Sequence, residues 1–160
     1  MALTVIIILY VVIGVLSAAG SVFIARKLFS AKAEQVFFAL FLVPIAGFYL
    51  AFTAYFGDES AWRFETGGMI AFGVIGLVGI RVPLAVMIGY LVHGLWDVLH
   101  EMYAHGGVEL LIFQHSTEIP LAYGAFCATY DWCMAGYFFT RWREWSAGWV
   151  SSERGTGCFS

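Results

Sequence analysis

The chain has 160 residues, of which 61% are hydrophobic and only 12% are charged, and its mean hydropathy is +0.84. Soluble domains carry about 25% charged residues, so this chain has about half the charge that a water-exposed surface requires. The formal net charge of −3 and the lack of a basic stripe argue against a nucleic-acid partner. This composition predicts an integral membrane protein made of apolar helices.

The first two predicted helices follow one another closely. The first covers about residues 3–24, and Arg26 and Lys27 come directly after it. No Lys or Arg precedes this run, and its length of about 20 residues is that of one membrane span, which favours a retained helix over a cleaved signal peptide. The second covers about residues 36–56 and contains Pro44, a residue type that kinks helices.

The next apolar stretch, residues 67–103, is too long for one membrane span. A helix of that length would measure roughly 55 Å, whereas the hydrocarbon core is about 30 Å thick. Arg81 and Pro83 interrupt the stretch, and Pro is common in the first turn of a helix. We therefore predict a short third helix over about 66–80 and a fourth over about 83–103.

A fifth predicted helix covers about residues 119–140, and the loop charges favour five spans over four. Cytoplasmic loops are enriched in Lys and Arg. Five spans with the N-terminus outside place Arg141 and Arg143 in the cytoplasm, whereas four spans would place them outside. We predict an all-α, polytopic membrane bundle of five transmembrane helices in residues 1–145, with four as the alternative, and a polar C-terminal tail over 146–160.

Two patterns predict how the helices pack and where they meet the bilayer surface. Small residues at regular spacing let helix backbones approach closely in lipid. The third helix has such a spacing at Gly73, Gly76 and Gly79. Tryptophan is enriched at membrane–water interfaces. Trp142, Trp145 and Trp149 follow the fifth helix and predict an interfacial belt.

The fourth helix carries ionisable residues, each of which costs about 2.5–3.5 kcal/mol at the centre of a transmembrane helix. Helical geometry places His93, Asp97 and His100 within about 60° of one another, with Glu101 beside Asp97. Asp131 in the fifth helix and His93 in the fourth both lie roughly 15–18 Å from the membrane surface at which their helices enter. We therefore predict that His93 pairs with Asp131 near the middle of the membrane.

Two interpretations of this cluster involve neither a metal nor a protein partner. In the first, His93, Asp97 and Asp131 are catalytic residues that perform acid–base chemistry on a lipid or isoprenoid held between the helices. In the second, the His–Asp pair only joins two helices, and Tyr90 or Tyr123 completes its hydrogen bonds. One such pair does not require four ionisable residues on the fourth helix, so we favour a functional role.

Two further interpretations concern a metal and a protein partner. His93, Asp97, His100 and Glu101 could bind a transition metal, with Cys127 or Asp131 completing the coordination sphere. Mixed nitrogen, oxygen and sulfur donors suit zinc, iron or copper. Alternatively, the chain is a non-catalytic subunit that packs against other membrane subunits or against a second copy of itself.

The polar pattern also resembles that of known families. The runs that carry the resemblance are His93-x3-Asp97-x2-His100 and Pro120-x2-Tyr123-x3-Cys127-x3-Asp131. Together they resemble an uncharacterised family of small bacterial multi-helix membrane proteins, over about 60 residues before the tail. The resemblance implies a protein of the bacterial inner membrane. Glu101 stands where that family commonly has a further His, which argues against an all-histidine metal site.

A looser similarity is to membrane sterol isomerases of the emopamil-binding type. Those proteins are five-helix bundles in which a His and carboxylates on facing helices move protons on a buried lipid. The spacing His93-x3-Asp97 is similar to the spacing of a His and an acid one helical turn apart in such a site. The similarity implies proton transfer to and from an apolar substrate, with membrane lipid as the partner.

Overall fold

The computed structural model describes residues 1–109 and 111–156, which form five α-helices and no β-strand. The helices are α1 (Ala2–Leu28), α2 (Ala31–Phe56), α3 (Trp62–Gly79), α4 (Pro83–Ala104) and α5 (Tyr123–Thr156). A short 3-10 helix, Leu111–Phe113, lies in the connection between α4 and α5. The prediction of an all-α chain with five helices is confirmed.

Local capping explains why α2 begins earlier than its apolar run. Ser30 lies just before the helix in extended conformation, and its hydroxyl accepts a hydrogen bond from the Ala33 N–H. Such an N-cap satisfies one of the N–H groups that a helix start leaves unpaired. Glu34 and Gln35 therefore belong to α2, where both side chains are buried. At the other end, Gly57 adopts a left-handed conformation (φ 71°) and ends the helix.

Helix α5 is longer than its apolar run predicts. It continues to Thr156, so the segment predicted as a tail from residue 146 begins as helix, and residues 157–160 lie outside the described part of the chain. Trp145 is completely buried, and its indole N–H donates to the Glu34 carboxylate at 2.9 Å. The expectation that Trp145 belongs to an interfacial belt is therefore wrong, because the residue packs inside the bundle.

The most extensive contact between helices in the bundle is that of α4 with α5. Helix α5 lies against both α4 and α1, while α3 packs against α2 and α4. Large side chains from α2, α4 and α5 fill the centre, including Phe38, Leu42, Tyr90, Met134 and Phe138. This arrangement brings the polar face of α4 against the middle of α5.

Two of the described helices are long and apolar enough to cross a membrane. They are Ala2–Leu28, with a mean hydropathy of 2.7 over its most apolar window, and Ala31–Phe56, with 2.2. Only 11% of that window of α1 is buried inside the protein. Most of α1 therefore presents aliphatic side chains to its surroundings rather than to the core.

The predicted glycine face of α3 makes close contacts at two of its three positions. A methyl group at Gly76 would lie 2.5 Å from the Ala39 carbonyl oxygen, and one at Gly79 would lie 2.8 Å from a methyl group of Val86. Gly73 faces open space. Small residues at 76 and 79 therefore allow α3 to touch α2 and α4.

This difference predicts opposite outcomes for two identical substitutions in one helix. Gly76→Ala should lower the free energy of unfolding by about 1–3 kcal/mol, because the added methyl group pushes α3 away from α2. Gly73→Ala should leave stability unchanged or raise it by up to about 1 kcal/mol through helix propensity. Thermal unfolding of both variants in the same detergent measures this, and equal midpoints would contradict the close contact at Gly76.

Candidate functional site

Three of the predicted site residues meet between α4 and α5. The Nδ1 atom of His93 lies 2.7 Å from Oδ2 of Asp131 and 3.2 Å from Oδ2 of Asp97. Each of the three side chains is at most 1% exposed. The contact predicted between His93 and Asp131 is therefore present, and Asp97 joins it. We call these three residues the His–Asp cluster.

The two helices approach closely at this level because two contact positions are glycines. A side chain at Gly124 would overlap the Asp97 carbonyl group, and one at Gly94 would lie 2.6 Å from the indole nitrogen of Trp132. The Trp132 indole N–H donates to the Leu91 carbonyl at 3.2 Å. Without these glycines, the carboxyl group of Asp131 would stand farther from the imidazole of His93.

Glu101 positions the start of α5. Its carboxylate accepts hydrogen bonds from the backbone N–H groups of Ala122 at 2.8 Å and Gly124 at 3.0 Å. A carboxylate at a helix N-terminus satisfies unpaired donors and interacts favourably with the helix dipole. Glu101 therefore helps to set the register of α5 against α4 and is not free to bind a metal with the cluster.

His100 is also directed away from the His–Asp cluster. Its Nε2 lies 3.0 Å from Oε1 of Glu65, a buried residue of α3 that also accepts the Thr117 N–H at 2.9 Å. His100 is two helical turns from His93, about 10 Å along the axis. The expected four-ligand metal set of His93, Asp97, His100 and Glu101 is therefore not assembled, although its residues share one face of α4.

Tyr49 of α2 completes the hydrogen bonding of the cluster. Its hydroxyl donates to Oδ1 of Asp97 at 2.5 Å. The tyrosines expected in this role have other contacts, since Tyr90 donates to the Phe38 carbonyl at 3.1 Å and Tyr123 hydrogen-bonds with Cys127. A tyrosine in an apolar helix carries no sequence signal for such a contact, so Tyr49 was missed.

The cluster combines proton-donating and proton-accepting groups in a buried environment. Two carboxyl groups and one imidazole are electrically neutral together when the imidazole is protonated and one carboxyl keeps its proton. Neutrality is favoured because isolated charges are expensive to bury. Three buried atoms of the cluster have no hydrogen-bond partner among the described residues: His93 Nε2, Asp97 Oδ2 and Asp131 Oδ1. Each such atom costs about 1–3 kcal/mol and favours a ligand that would satisfy it.

An apolar cavity reaches the cluster at Asp131. It has a volume of about 250 Å³ and lies between α1, α2 and α5. Its other lining residues are mostly aromatic or aliphatic: Ser21, Phe41, Ile45, Phe48, Tyr123, Phe126, Cys127 and Tyr130. A ligand in this cavity would contact Asp131 while lying among hydrocarbon side chains.

Comparison with known protein families assigns the chain. A family model described as a family of unknown function, DUF6010, matches residues 8–144. The chain belongs to the DUF6010 family. The matched region contains the whole His–Asp cluster, and the expected membership of an uncharacterised family is thereby confirmed. No curated protein and no solved structure matches the chain significantly.

A second buried polar cluster, missed from the sequence, joins α2 to α5. The Glu34 carboxylate accepts hydrogen bonds from Arg141 Nε at 3.0 Å, Arg141 Nη2 at 2.9 Å, the Trp145 indole at 2.9 Å and the Tyr137 hydroxyl. Arg141 also pairs with Glu144 at the surface. Every partner of Glu34 comes from α5, so this cluster stabilises the bundle.

Proposed function

We propose that this member of the DUF6010 family is an integral membrane protein whose five helices all cross the bilayer. The distribution of side chains supports this. Soluble monomers rarely expose apolar patches larger than a few hundred Å². Here large aliphatic side chains are exposed along α3 and α4 as well as α1 and α2, and among them are Ile70, Val74, Leu77, Ile88, Leu91, Val92 and Leu95. The ionisable residues in the middle of α4 and α5, which are His93, Asp97 and Asp131, are buried inside the bundle.

The dimensions and loop charges support the same topology. Helix α3 has 18 residues and therefore a length of about 27 Å, close to the hydrocarbon thickness of about 30 Å. Loops rich in Lys and Arg stay in the cytoplasm. By this rule we infer that the N-terminus lies outside and that the region around Arg141 and Arg143 lies on the cytoplasmic side. The resemblance to small bacterial membrane proteins supports a location in the inner membrane of a bacterium.

Within this bundle, the His–Asp cluster performs acid–base chemistry on a lipid or isoprenoid. The observation that carries this proposal is that Asp131 belongs both to the cluster and to the apolar cavity. Asp131 exchanges a proton with the substrate, and His93 shares that proton with both carboxyl groups. Tyr49 holds Asp97 through its hydroxyl.

A shift of a carbon–carbon double bond is the reaction that best suits this set of groups. It adds one proton to one carbon of the double bond and removes one proton from the carbon two positions away, next to the other end of the double bond. The protein therefore ends with the same number of protons, and neither a redox cofactor nor a second substrate is required. The similarity to emopamil-binding-type isomerases supports the same chemistry.

The experiment follows the transferred proton and requires no known substrate. Purified protein is reconstituted with a total bacterial lipid extract in D₂O, and the extracted lipids are analysed by mass spectrometry. We expect one lipid class to gain deuterium at carbon positions that do not exchange with water. Lipids that stay unlabelled at every carbon position would overturn the proposed reaction.

A metal site is the second candidate, because the cluster has suitable geometry. His93, Asp97 and Asp131 each offer one ligand atom, and the three atoms lie within 4.8 Å of one another. Catalytic zinc sites commonly use three protein ligands and keep one position open. One imidazole and two carboxylates suit zinc or iron, which would satisfy atoms that otherwise have no partner.

Metal analysis distinguishes this candidate from metal-free proton transfer. If the cluster binds a metal, purified protein supplemented with zinc or iron should contain about one ion per chain. Asp97→Asn should lower that content severalfold, as loss of one ligand does. His100→Gln should leave the content unchanged, since His100 pairs with Glu65. Substoichiometric metal after supplementation would remove this candidate.

A further inference from the structure

The cavity at Asp131 continues into a longer groove. A second cavity of about 340 Å³ shares Ser21, Phe41 and Tyr130 with it. The second cavity is also lined by Ile24, Ala25, Phe29 and Phe37. The combined feature, which we call the α1/α2 groove, follows α2 from Phe37 to Phe48, a distance of about 16 Å. Both flanking helices pack against α5, which forms the floor of the groove.

The groove is lined mostly by apolar side chains, with polar groups at a few positions. Midway along it, the Tyr130 hydroxyl donates to the Ser21 hydroxyl at 3.2 Å. Asp131 directly follows Tyr130 on α5 and lines the first of the two cavities only. Most of the remaining lining is aromatic and aliphatic, which suits a hydrocarbon chain.

Two cations stand at the opposite end of the groove. Arg26 and Lys27 form the last turn of α1, directly after Ala25, which lines the groove. Arg26 interacts electrostatically with the Tyr137 hydroxyl, and Tyr137 lies two helical turns beyond Tyr130 on the same face of α5. Both basic side chains are exposed, and neither makes a salt bridge with another described residue.

We propose that the α1/α2 groove binds one acyl chain of an anionic phospholipid from the cytoplasmic leaflet, with its phosphate against Arg26 and Lys27. The lipid enters sideways between α1 and α2. Its chain runs along the groove, so the carbons that reach Asp131 lie within the acyl chain and not at the headgroup. This deepens the proposed function, on which it rests, by naming the substrate class and the part of the chain that reacts.

The first arm of the test blocks the groove. Protein is reconstituted in vesicles containing equal amounts of phosphatidylcholine and phosphatidylglycerol, and retained lipid is measured by native mass spectrometry. Wild type should retain phosphatidylglycerol with an enrichment of about tenfold over phosphatidylcholine, because each basic residue near an anionic headgroup favours it. Ser21→Trp should lose the retained lipid, since the indole fills the space that both cavities share.

Gly20→Trp is the matched control for the blocking variant. Gly20 precedes Ser21 on α1, and a Cβ atom added there would have no atom within 4 Å. This variant should retain phosphatidylglycerol as wild type does. Equal lipid retention by Ser21→Trp and wild type would overturn the proposal, as would loss of the lipid in Gly20→Trp alone.

The second arm removes the cations and separates this proposal from the reaction. Arg26→Gln combined with Lys27→Gln should abolish the preference for phosphatidylglycerol, whereas Arg143→Gln, which removes an exposed cation away from the groove, should keep it.

Asp131→Asn should still retain the lipid. Retained lipid without any deuterium labelling would leave the lipid site standing and overturn the acid–base function. Labelling without phosphatidylglycerol preference would overturn the lipid site alone.

Discussion

Asp131→Asn is expected to lower deuterium incorporation into lipid at least about hundredfold, the contribution that a positioned acid or base commonly makes. Asparagine has nearly the same shape as aspartate, so the packing between α4 and α5 should be kept. Its amide oxygen still accepts a hydrogen bond from His93, whose Nδ1 lies 2.7 Å from the present carboxylate. The amide cannot take up or release a proton in the cavity, so the transfer step is lost.

Asp58→Asn is the control for this substitution. Asp58 lies in the exposed connection between α2 and α3, where its carboxylate accepts hydrogen bonds from the backbone N–H and hydroxyl of Ser60. The same chemical change there should leave labelling unchanged. Wild-type labelling by Asp131→Asn would remove Asp131 from the mechanism, and with it the proposal that the cavity delivers substrate to the cluster.

Glu34→Leu is expected to lower the free energy of unfolding by about 3–5 kcal/mol, the cost of removing one partner from a buried ion pair. Glu34 is 1% exposed and accepts from three side chains of α5. Its loss leaves Nε and Nη2 of Arg141 and the indole N–H of Trp145 without their acceptor. Unfolding by denaturant in detergent micelles measures the change.

Glu144→Leu is the matched control, because Glu144 pairs with the same arginine at the surface. Its side chain is 59% exposed, and exposed pairs contribute at most about 1 kcal/mol. The double variant Glu34→Leu with Arg141→Met should recover part of the lost stability, since it no longer leaves a buried cation without its partner. Equal destabilisation by Glu34→Leu and Glu144→Leu would contradict a structural role for the buried pair.

Much of the helical architecture was predictable because it depends on local chemistry. Apolar runs, Pro83 and the charged breaks between runs are sufficient to place five helices. The ends were less predictable, since α2 begins at Ala31 under the control of the Ser30 cap, before its apolar run starts. The contact of His93 with Asp131 was also predictable. The rise per residue of an α-helix gives the depth at which each side chain lies along its own helix, and the two depths match.

The partners of the other polar residues were not predictable in this way. Periodicity places His100 on the same face of α4 as His93, and yet Glu65 of α3 binds it. Tyr49 lies 48 positions before Asp97, and Glu34 lies 107 positions before Arg141. Each contact depends on how one helix is rotated and displaced relative to another.

The sequence by itself therefore determined the helical class, the number of helices and the residues of the His–Asp cluster. Only the tertiary structure decided which groups complete the hydrogen bonds of that cluster and which predicted ligands pair elsewhere. It also decided that Asp131 lines an apolar groove. The physical reason is that a helix orders its own side chains every 3.6 residues. The rotation of each helix about its axis follows instead from close packing, such as that at Gly76 and Gly124, and from buried hydrogen bonds between distant residues.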